Sequence, residues 1–522
     1  MLYWWTNFTF LRPAPFYFDY DPEIQYFLDS LSIFNGQNYS FIDHPGTPVS
    51  MLGSLLLAAT YPFVGKVDFT VYHLSHPEIF MFLSHGLLLL LYIICGLYTY
   101  HVILKSLNRY AFWAAIVLTL LPFAIYDLSY PFITTWSHNA FNYPIGMLLL
   151  ISFIAALIRD QHPDIKKFFW FGFWGGVLSA IQFYFIAWPL CMALTILLFG
   201  YFSKKGFITS FKTTLIFLAG CLGGFFLSIA PVIKKFPKFV DWIWRLTFHE
   251  GTYGSGPRGF FSLDLAVQNF IKLLNSSPIL FAVTLFLIVS FLVFLIRDHK
   301  QVGRYPGLFS TGIGLTLQIL LLIFVITKHP HPLNYYIFSV SVCLPPLAFI
   351  NLKLLGGGQD GLTRRRYVSQ LAILLPIFVV FLILPVMKLR SAIGTYELRR
   401  QKIADEVTLT NEFFDNYARE RNKKIGDIIV LSTYWTYGDC YALRFGTNYG
   451  DLAIEDKLSQ VCPNHYEGLA DGNVEINNVY YKLRRIDWRL INTTWDLYNS
   501  SSVLQNAGKA YRLTPDLVII QR

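Results

Sequence analysis

Ten stretches of the chain are almost uninterruptedly apolar, at roughly 79–104, 111–127, 141–158, 169–185, 186–202, 213–232, 279–297, 306–327, 333–351 and 367–388. Each comes close to the roughly 20 residues of helix that a hydrocarbon core requires. Polar loops separate the stretches, and Pro189 lies close to a tight turn between the fourth and fifth. The pattern predicts an all-α polytopic membrane bundle of about ten spans. A further apolar segment, Pro48 to Gly65, carries a proline near each end and reads as an interfacial or re-entrant piece. From about 389 the chain becomes charged, with strand-like runs at Asp427–Tyr434 and Asp516–Gln521. That change predicts a small C-terminal α/β domain over 389–522.

The basic residues fix an expected orientation. Lys105 and Arg109 follow the first stretch, and Arg159, Lys166 and Lys167 follow the third. Lys204, Lys205 and Lys212 follow the fifth, Arg297, Lys300 and Arg304 the seventh, and Lys353 with Arg364–Arg366 the ninth. If the chain alternates, all these loops share one side, which the positive-inside rule makes cytoplasmic. Residues 1–78, a long loop at 233–278 and the domain at 389–522 then lie outside, flanking a transmembrane region at 79–388.

Composition agrees: 54% of residues are hydrophobic and only 14% charged, against nearly a quarter charged in soluble domains. The net charge of +10 does not indicate nucleic acid, because the basic residues sit in short loops between apolar runs. Of six cysteines, Cys95, Cys191, Cys221 and Cys343 lie in apolar runs. Cys440 and Cys462 lie in the polar C-terminal region and could pair in an oxidising compartment.

Four external constellations carry candidate chemistry. Asp19, Asp21 and Glu23 precede a helix-like segment containing Tyr26, with Pro22 suited to a first helical turn; acids there also simply stabilise a helix start. Asp43-His44-Pro45-Gly46-Thr47-Pro48 forms a rigid turn in which His44 is either a substrate contact or a cap. In the long loop, His249 to Gly259 is glycine-rich and includes Tyr253 and Arg258, the latter suited to a phosphate. Lys328-His329-Pro330-His331-Pro332-Leu333-Asn334-Tyr335-Tyr336 is a basic turn that fits a phosphate or a lipid headgroup. A carboxylate base with cations on a leaving phosphate is a coherent use of this set.

This arrangement resembles the GT-C superfamily of integral membrane glycosyltransferases, which includes protein O-mannosyltransferases and lipid A aminoarabinose transferases. The residues carrying the resemblance are Asp19-Tyr20-Asp21-Pro22-Glu23 with Tyr26, the Asp43-His44-Pro45 stretch, and Lys328 to Tyr336. It covers the layout of residues 16–390. The resemblance implies a polyprenyl-phosphate-linked sugar donor, transfer on the extracytoplasmic face with inversion, and a multi-pass protein of a bacterial inner membrane. It implies Asp21 as general base, with Glu23 second and Asp19 third. Tyr26, His44, His249, Tyr253, Arg258, Lys328, His329, His331 and Tyr336 would bind substrate. The acceptor, whether glycan, lipid or protein, stays open, as does a divalent cation between paired acids. Two features depart from the family: Pro22 separates Asp21 from Glu23, and no span precedes the acidic loop, as though a first helix were missing. The alternative is a transporter or flippase of a lipid-linked or anionic substrate, which polar residues at bilayer depth would favour.

Overall fold

A computed structural model describes residues 20–37, 46–65, 67–107, 115–116, 118, 136, 138–159, 164–204, 206–249, 256–276, 278–327, 340, 342–355, 398, 401–433, 440, 442–444, 454–468, 473–476, 479–482 and 488–522. In lipid every backbone N–H and C=O must be satisfied within its own segment, so long apolar runs become helices. The helices in chain order are α1 (Tyr20–Phe34), α2 (Thr47–Val64), α3 (Phe69–Ser75), α4 (Pro77–Leu107), α5 (His138–Arg159), α6 (Ile165–Ile181), α7 (Ala187–Phe202) and α8 (Phe207–Ser228). They continue with α9 (Phe236–Phe248), α10 (Leu263–Ser276), α11 (Pro278–Arg297), α12 (Pro306–Thr327) and α13 (Leu344–Leu355).

Among the described residues, six helices are long and apolar enough to cross a membrane: α2, α4, α5, α8, α11 and α12. Two others, α7 and α13, are apolar but shorter. Of the expected spans, 367–388 and most of 111–127 lie outside the described residues, and so does the start of 333–351. The boundary near Pro189 falls earlier than its proline suggests. α6 ends at Ile181, a 3-10 turn covers Phe183–Ile186, and Pro189 stands in the first turn of α7, where no amide hydrogen is required.

Two segments are more regular than the pattern suggests. The segment at Pro48 to Gly65 is one continuous helix of 18 residues, α2, and qualifies as a span by length and composition. Its prolines do not shorten it, because Pro48 occupies the first turn and Pro62 comes near the end. The region 233–278 is not simply a loop: it is built on two amphipathic helices, α9 and α10. Val240, Trp244 and Phe248 line one stripe of α9, and Leu263, Val267 and Ile271 one stripe of α10, all exposed at spacings of four.

The tightest helix pair is α6 with α8. Gly172 and Gly176 on one helix face Gly220 and Gly224 on the other, so both carry small residues four apart. A Cβ at Gly172, Gly176 or Gly224 would stand 2.0 Å from the carbonyl oxygen of Phe217, Cys221 or Phe173. One at Gly220 would stand 2.2 Å from that of Phe169. The backbones therefore touch directly, which van der Waals packing in a membrane rewards. Phe153, Trp188 and Phe217 pack beside this seam, and the main apolar core runs outward from there through α4, α5, α7, α11, α12 and α13.

The C-terminal region holds the expected α/β domain. A helix over 401–419, α14, leads to a seven-stranded sheet in the order β4-β3-β2-β1-β5-β7-β6. The strands are β1 (Val430–Ser432), β2 (His465–Gly468), β3 (Asn473–Ile476), β4 (Val479–Lys482), β5 (Leu490–Thr494), β6 (Lys509–Arg512) and β7 (Leu517–Gln521). β1 runs parallel to β2 and β5, and the other pairs are antiparallel. Alternation along the strands feeds two cores. Val430, Leu490 and Ile519 meet Phe414 and Tyr417 of α14, whereas Leu431, Ile491 and Val518 meet Trp488 and Leu504. The sheet is thus covered on both faces, which is why its central strands read as continuous apolar runs.

Between β1 and β2, Cys440 and Cys462 form the disulfide that their positions allowed, with Cα atoms 5.4 Å apart. The helix α15 (Glu455–Val461) lies within that loop, and Ala442, Leu443, Ile454 and Leu458 join the apolar core of the bundle. Arg444 is buried here; it pairs with the Glu455 carboxylate and donates to Ser459 Oγ and the Cys462 carbonyl. Lys457 Nζ donates to Asp68 Oδ2 at 2.6 Å, while Asp68 Oδ1 caps α3 by accepting from the amides of Thr70 and Val71. One carboxylate therefore both starts α3 and holds the C-terminal domain against it.

Gly176→Ala and Gly220→Ala each force a methyl group into a backbone carbonyl and are expected to cost about 1–3 kcal/mol. Thermal melting in detergent should show both variants well below wild type, whereas Gly223→Ala, with nothing within 4 Å, should match it.

A second expectation concerns acid. His465 shares a hydrogen bond with Ser432 Oγ at 2.9 Å. Burial, with the Arg444 charge added, pushes its imidazole from the ordinary 6.5 down to about 3. The unfolded chain takes up that proton first, so stability is whole above about pH 6.5 and falls as pH drops towards 3. The loss should approach about 1.4 kcal/mol per pH unit across that window, and His465→Gln should flatten the melting-versus-pH curve there.

Candidate functional site

The acidic segment forms α1, with Asp21 in its first turn. The Asp21 side chain and all of Asp19 lie outside the described residues. From Glu23 to Ser32 α1 is buried, and Glu23 and Tyr26 reach other helices. Glu23 Oε1 accepts from the backbone N–H of Trp136 at 2.7 Å and lies 2.6 Å from His85 Nε2, on α4. Glu23 itself is inaccessible to solvent. A carboxylate that accepts from a backbone amide and an imidazole in a buried place works as a tether between α1, α4 and the entry to α5.

One turn on, Tyr26 Oη shares a hydrogen bond of 2.8 Å with His138 Nδ1, in the first turn of α5. Tyr26 also rests on Gly46, which caps α2 with φ +56. A Cβ there would lie 2.6 Å from Tyr26 Oη, so only glycine allows both the left-handed turn and the close approach. The acidic segment and the proline-glycine turn, two of the four constellations, are thus brought together. His44, within that turn, lies outside the described residues.

Asp29 follows Tyr26 on the same face and is also buried. Its Oδ2 has no hydrogen-bond partner among the described residues. Burial pushes this carboxyl well above the ordinary carboxylate range, and the Lys235 ammonium partly opposes the shift. Asp29 was not singled out by sequence, since nothing in its spacing separates it from the apolar residues around it.

Nearby, Asn142 Nδ2 donates to Gln182 Oε1 at 3.3 Å, joining the start of α5 to the end of α6. Next to α1, His73 on α3 meets Thr60 Oγ1 through Nε2 at 2.8 Å. Thr60 gives its own hydrogen to the Leu57 carbonyl, so His73 is the donor. Burial pushes the His73 imidazole down to about 4, which keeps it neutral.

His249 and Arg258 face one another across an antiparallel bridge at the end of α9, and His249 Nδ1 lies 3.1 Å from the Gly256 carbonyl. Arg258 is exposed. Tyr253, Lys328, His329, His331 and Tyr336 lie outside the described residues. Among the described residues no three His, Cys, Asp or Glu side chains come together as a metal ligand set.

Comparison with protein-family models, with curated proteins and with solved structures finds no match to this chain.

If Glu23 is a tether, Glu23→Ala strands two buried donors and should cost about 3–5 kcal/mol. Glu23→Gln keeps an acceptor oxygen and should cost distinctly less. Melting of both variants in lipid nanodiscs checks this, and equal losses would count against the tether.

Proposed function

We propose that this protein is a membrane glycosyltransferase that takes a sugar from a polyprenyl-phosphate-linked donor. Transfer is on the extracytoplasmic face, with a carboxylate as general base and inversion at the transferred carbon. The observation that carries this reading is the α1 anchorage. A short acidic helix is fixed by Glu23 and Tyr26 to the ends of two long apolar helices, and polar side chains gather there beside the apolar bundle.

The tether divides the acids by role. Glu23 is engaged and inaccessible to solvent, so it holds α1 in place. That leaves Asp21, in the first turn, as the base that takes the acceptor's proton while the phosphate departs. Arg258 and the turn at 328–336 supply the cations for that phosphate. The Cys440–Cys462 disulfide supports an oxidising, extracytoplasmic location for the C-terminal domain. Against transport, hydroxyls within the apolar helices are turned inward on their own backbone: Thr195, Thr214 and Thr284 each donate to the carbonyl four residues earlier.

Asp21→Asn should abolish sugar transfer, by about a hundredfold or more, while membrane insertion and melting stay at wild-type values. The assay is transfer from a panel of polyprenyl-phosphate sugars by purified protein in vesicles. Full activity in this variant removes Asp21 as base.

A further inference from the structure

The segment between α8 and α11 carries an apolar surface that the candidate site does not use. In α9, Phe239 and Trp242 are buried, whereas Val240, Trp244 and Phe248 are exposed. Lys238, Asp241 and Arg245, also exposed, fill the remaining sector of that helix. α10 repeats the division. Ala266, Asn269 and Leu273 are buried, and Leu263, Val267 and Ile271 are exposed. Asp264, Gln268 and Lys272 form its exposed polar sector. A surface helix in water needs two sectors, one apolar and covered, one polar and wet. A third sector, apolar and uncovered, calls for a second apolar medium.

Ring contacts fix how these helices lie. α9 starts against the last turn of α8, with Phe236 5.7 Å from Phe226 and Phe239 6.0 Å from Phe225 between ring centroids. At its other end Phe248 meets Phe260 at 6.2 Å. The next residue, Phe261, stacks at 5.3 Å on Phe324 in the last turn of α12. α10 begins two residues beyond Phe261, and its Phe270 meets Phe281 in the first turn of α11 at 5.4 Å. α8, α11 and α12 are each long and apolar enough to cross a membrane, so these contacts all stand at the ends of spans. Both helices are thus held at two points on that level, which keeps them from standing upright. At 13 and 14 residues neither is long enough to cross. They lie flat.

We infer that α9 and α10 form a lipid-docking collar, in which Val240, Trp244, Phe248, Leu263, Val267 and Ile271 rest on the acyl chains of one leaflet. The polar sectors then meet its headgroups. These apolar sectors continue the apolar flanks of the adjoining spans, where Leu222 and Leu227 of α8 and Ile279 and Leu285 of α11 are exposed too. A flat helix with such a face is stabilised by sinking it into the boundary between headgroups and chains. Trp244 suits that depth, because an indole has an apolar body and an N–H for the wet zone. The partner is selected by its acyl chains and not by charge. Asp241 and Arg245 pair at 2.7 Å, and Asp264 and Lys272 carry opposite signs, so the collar fits zwitterionic and anionic headgroups alike. The inference does not depend on the glycosyltransferase reading.

The test uses the full chain in nanodiscs of phosphatidylcholine, with and without phosphatidylglycerol. An environment-sensitive fluorophore is attached at Trp244→Cys and Val267→Cys in the apolar sectors, and at Asp241→Cys and Gln268→Cys in the polar ones. The wild-type chain, whose free cysteines are buried, supplies the labelling background. Quenching by a spin-labelled acyl chain should be about threefold or more stronger at the apolar positions than at the polar ones. Quenching by aqueous iodide should show the opposite order, and both lipid compositions should give this result. Iodide reaching all four positions alike overturns the collar, because the stripes then face water. Apolar positions shielded from both quenchers also overturn it, since a second copy or another protein then covers them. An ordering seen only with phosphatidylglycerol overturns acyl-chain contact as its cause. If a variant melts below wild type, Val240→Cys or Ile271→Cys replaces it in the apolar sectors and Lys238→Cys in the polar ones, and the same outcomes apply.

Discussion

Backbone contact between α6 and α8 is the constraint from which the candidate site takes its shape. Four glycines let two helices approach until carbonyl oxygens lie where Cβ atoms would be. Lipid tails are as apolar as leucine, so helices in a bilayer gain little by hiding hydrophobic surface from one another and rely on close packing. With this pair locked, the ends of the two helices are fixed together. Gln182 leaves the end of α6, and the turn carrying Val232 and Lys235 leaves the end of α8. Ala180, Ile229 and Val232 at these ends pack with Ile33 of α1, and Lys235 acts on Asp29, so a seam deep in the bundle sets geometry where α1 rests.

α1 is held by a different physics. It has 15 residues and is not among the helices long and apolar enough to span, yet its face from Glu23 to Ser32 is almost wholly buried. Burying Glu23 and Asp29 is expensive, and the structure treats the two unequally. Glu23 receives a backbone amide and an imidazole, whereas Asp29, among the described residues, has the field of Lys235 and is driven towards its neutral form. Two carboxyls six residues apart are thus held differently, one by hydrogen bonds to α4 and the entry to α5, the other in the field of a lysine.

Much of this fold was legible in the sequence. Apolar runs announced their helices because lipid leaves the backbone no alternative, and the Leu517–Gln521 strand was visible as a β-branched run between turn signals. The Gly-x-x-x-Gly pairs at 172–176 and 220–224 also stood in plain view, in two apolar runs, and mark the seam. The helices α9 and α10 were hidden by the glycine-rich stretch between them, although Val240, Trp244 and Phe248 repeat with helical spacing. The site was legible only in its location. Glu23 finds His85 and Trp136 at separations of 62 and 113 residues, which no local pattern encodes. Asp29 differs from its neighbours on α1 only in what surrounds it after folding.

The bond between Lys457 and Asp68 joins residues 389 positions apart. During synthesis α3 emerges early, and its partner helix α15 is made only after nearly the whole bundle. On that side α3 therefore stays uncovered until translation approaches its end. Contacts of such long range are slow to form and cannot seed folding. Maturation of the molecule is in this sense a closing act, in which a late, disulfide-pinned segment comes to rest on an early-made part of the chain.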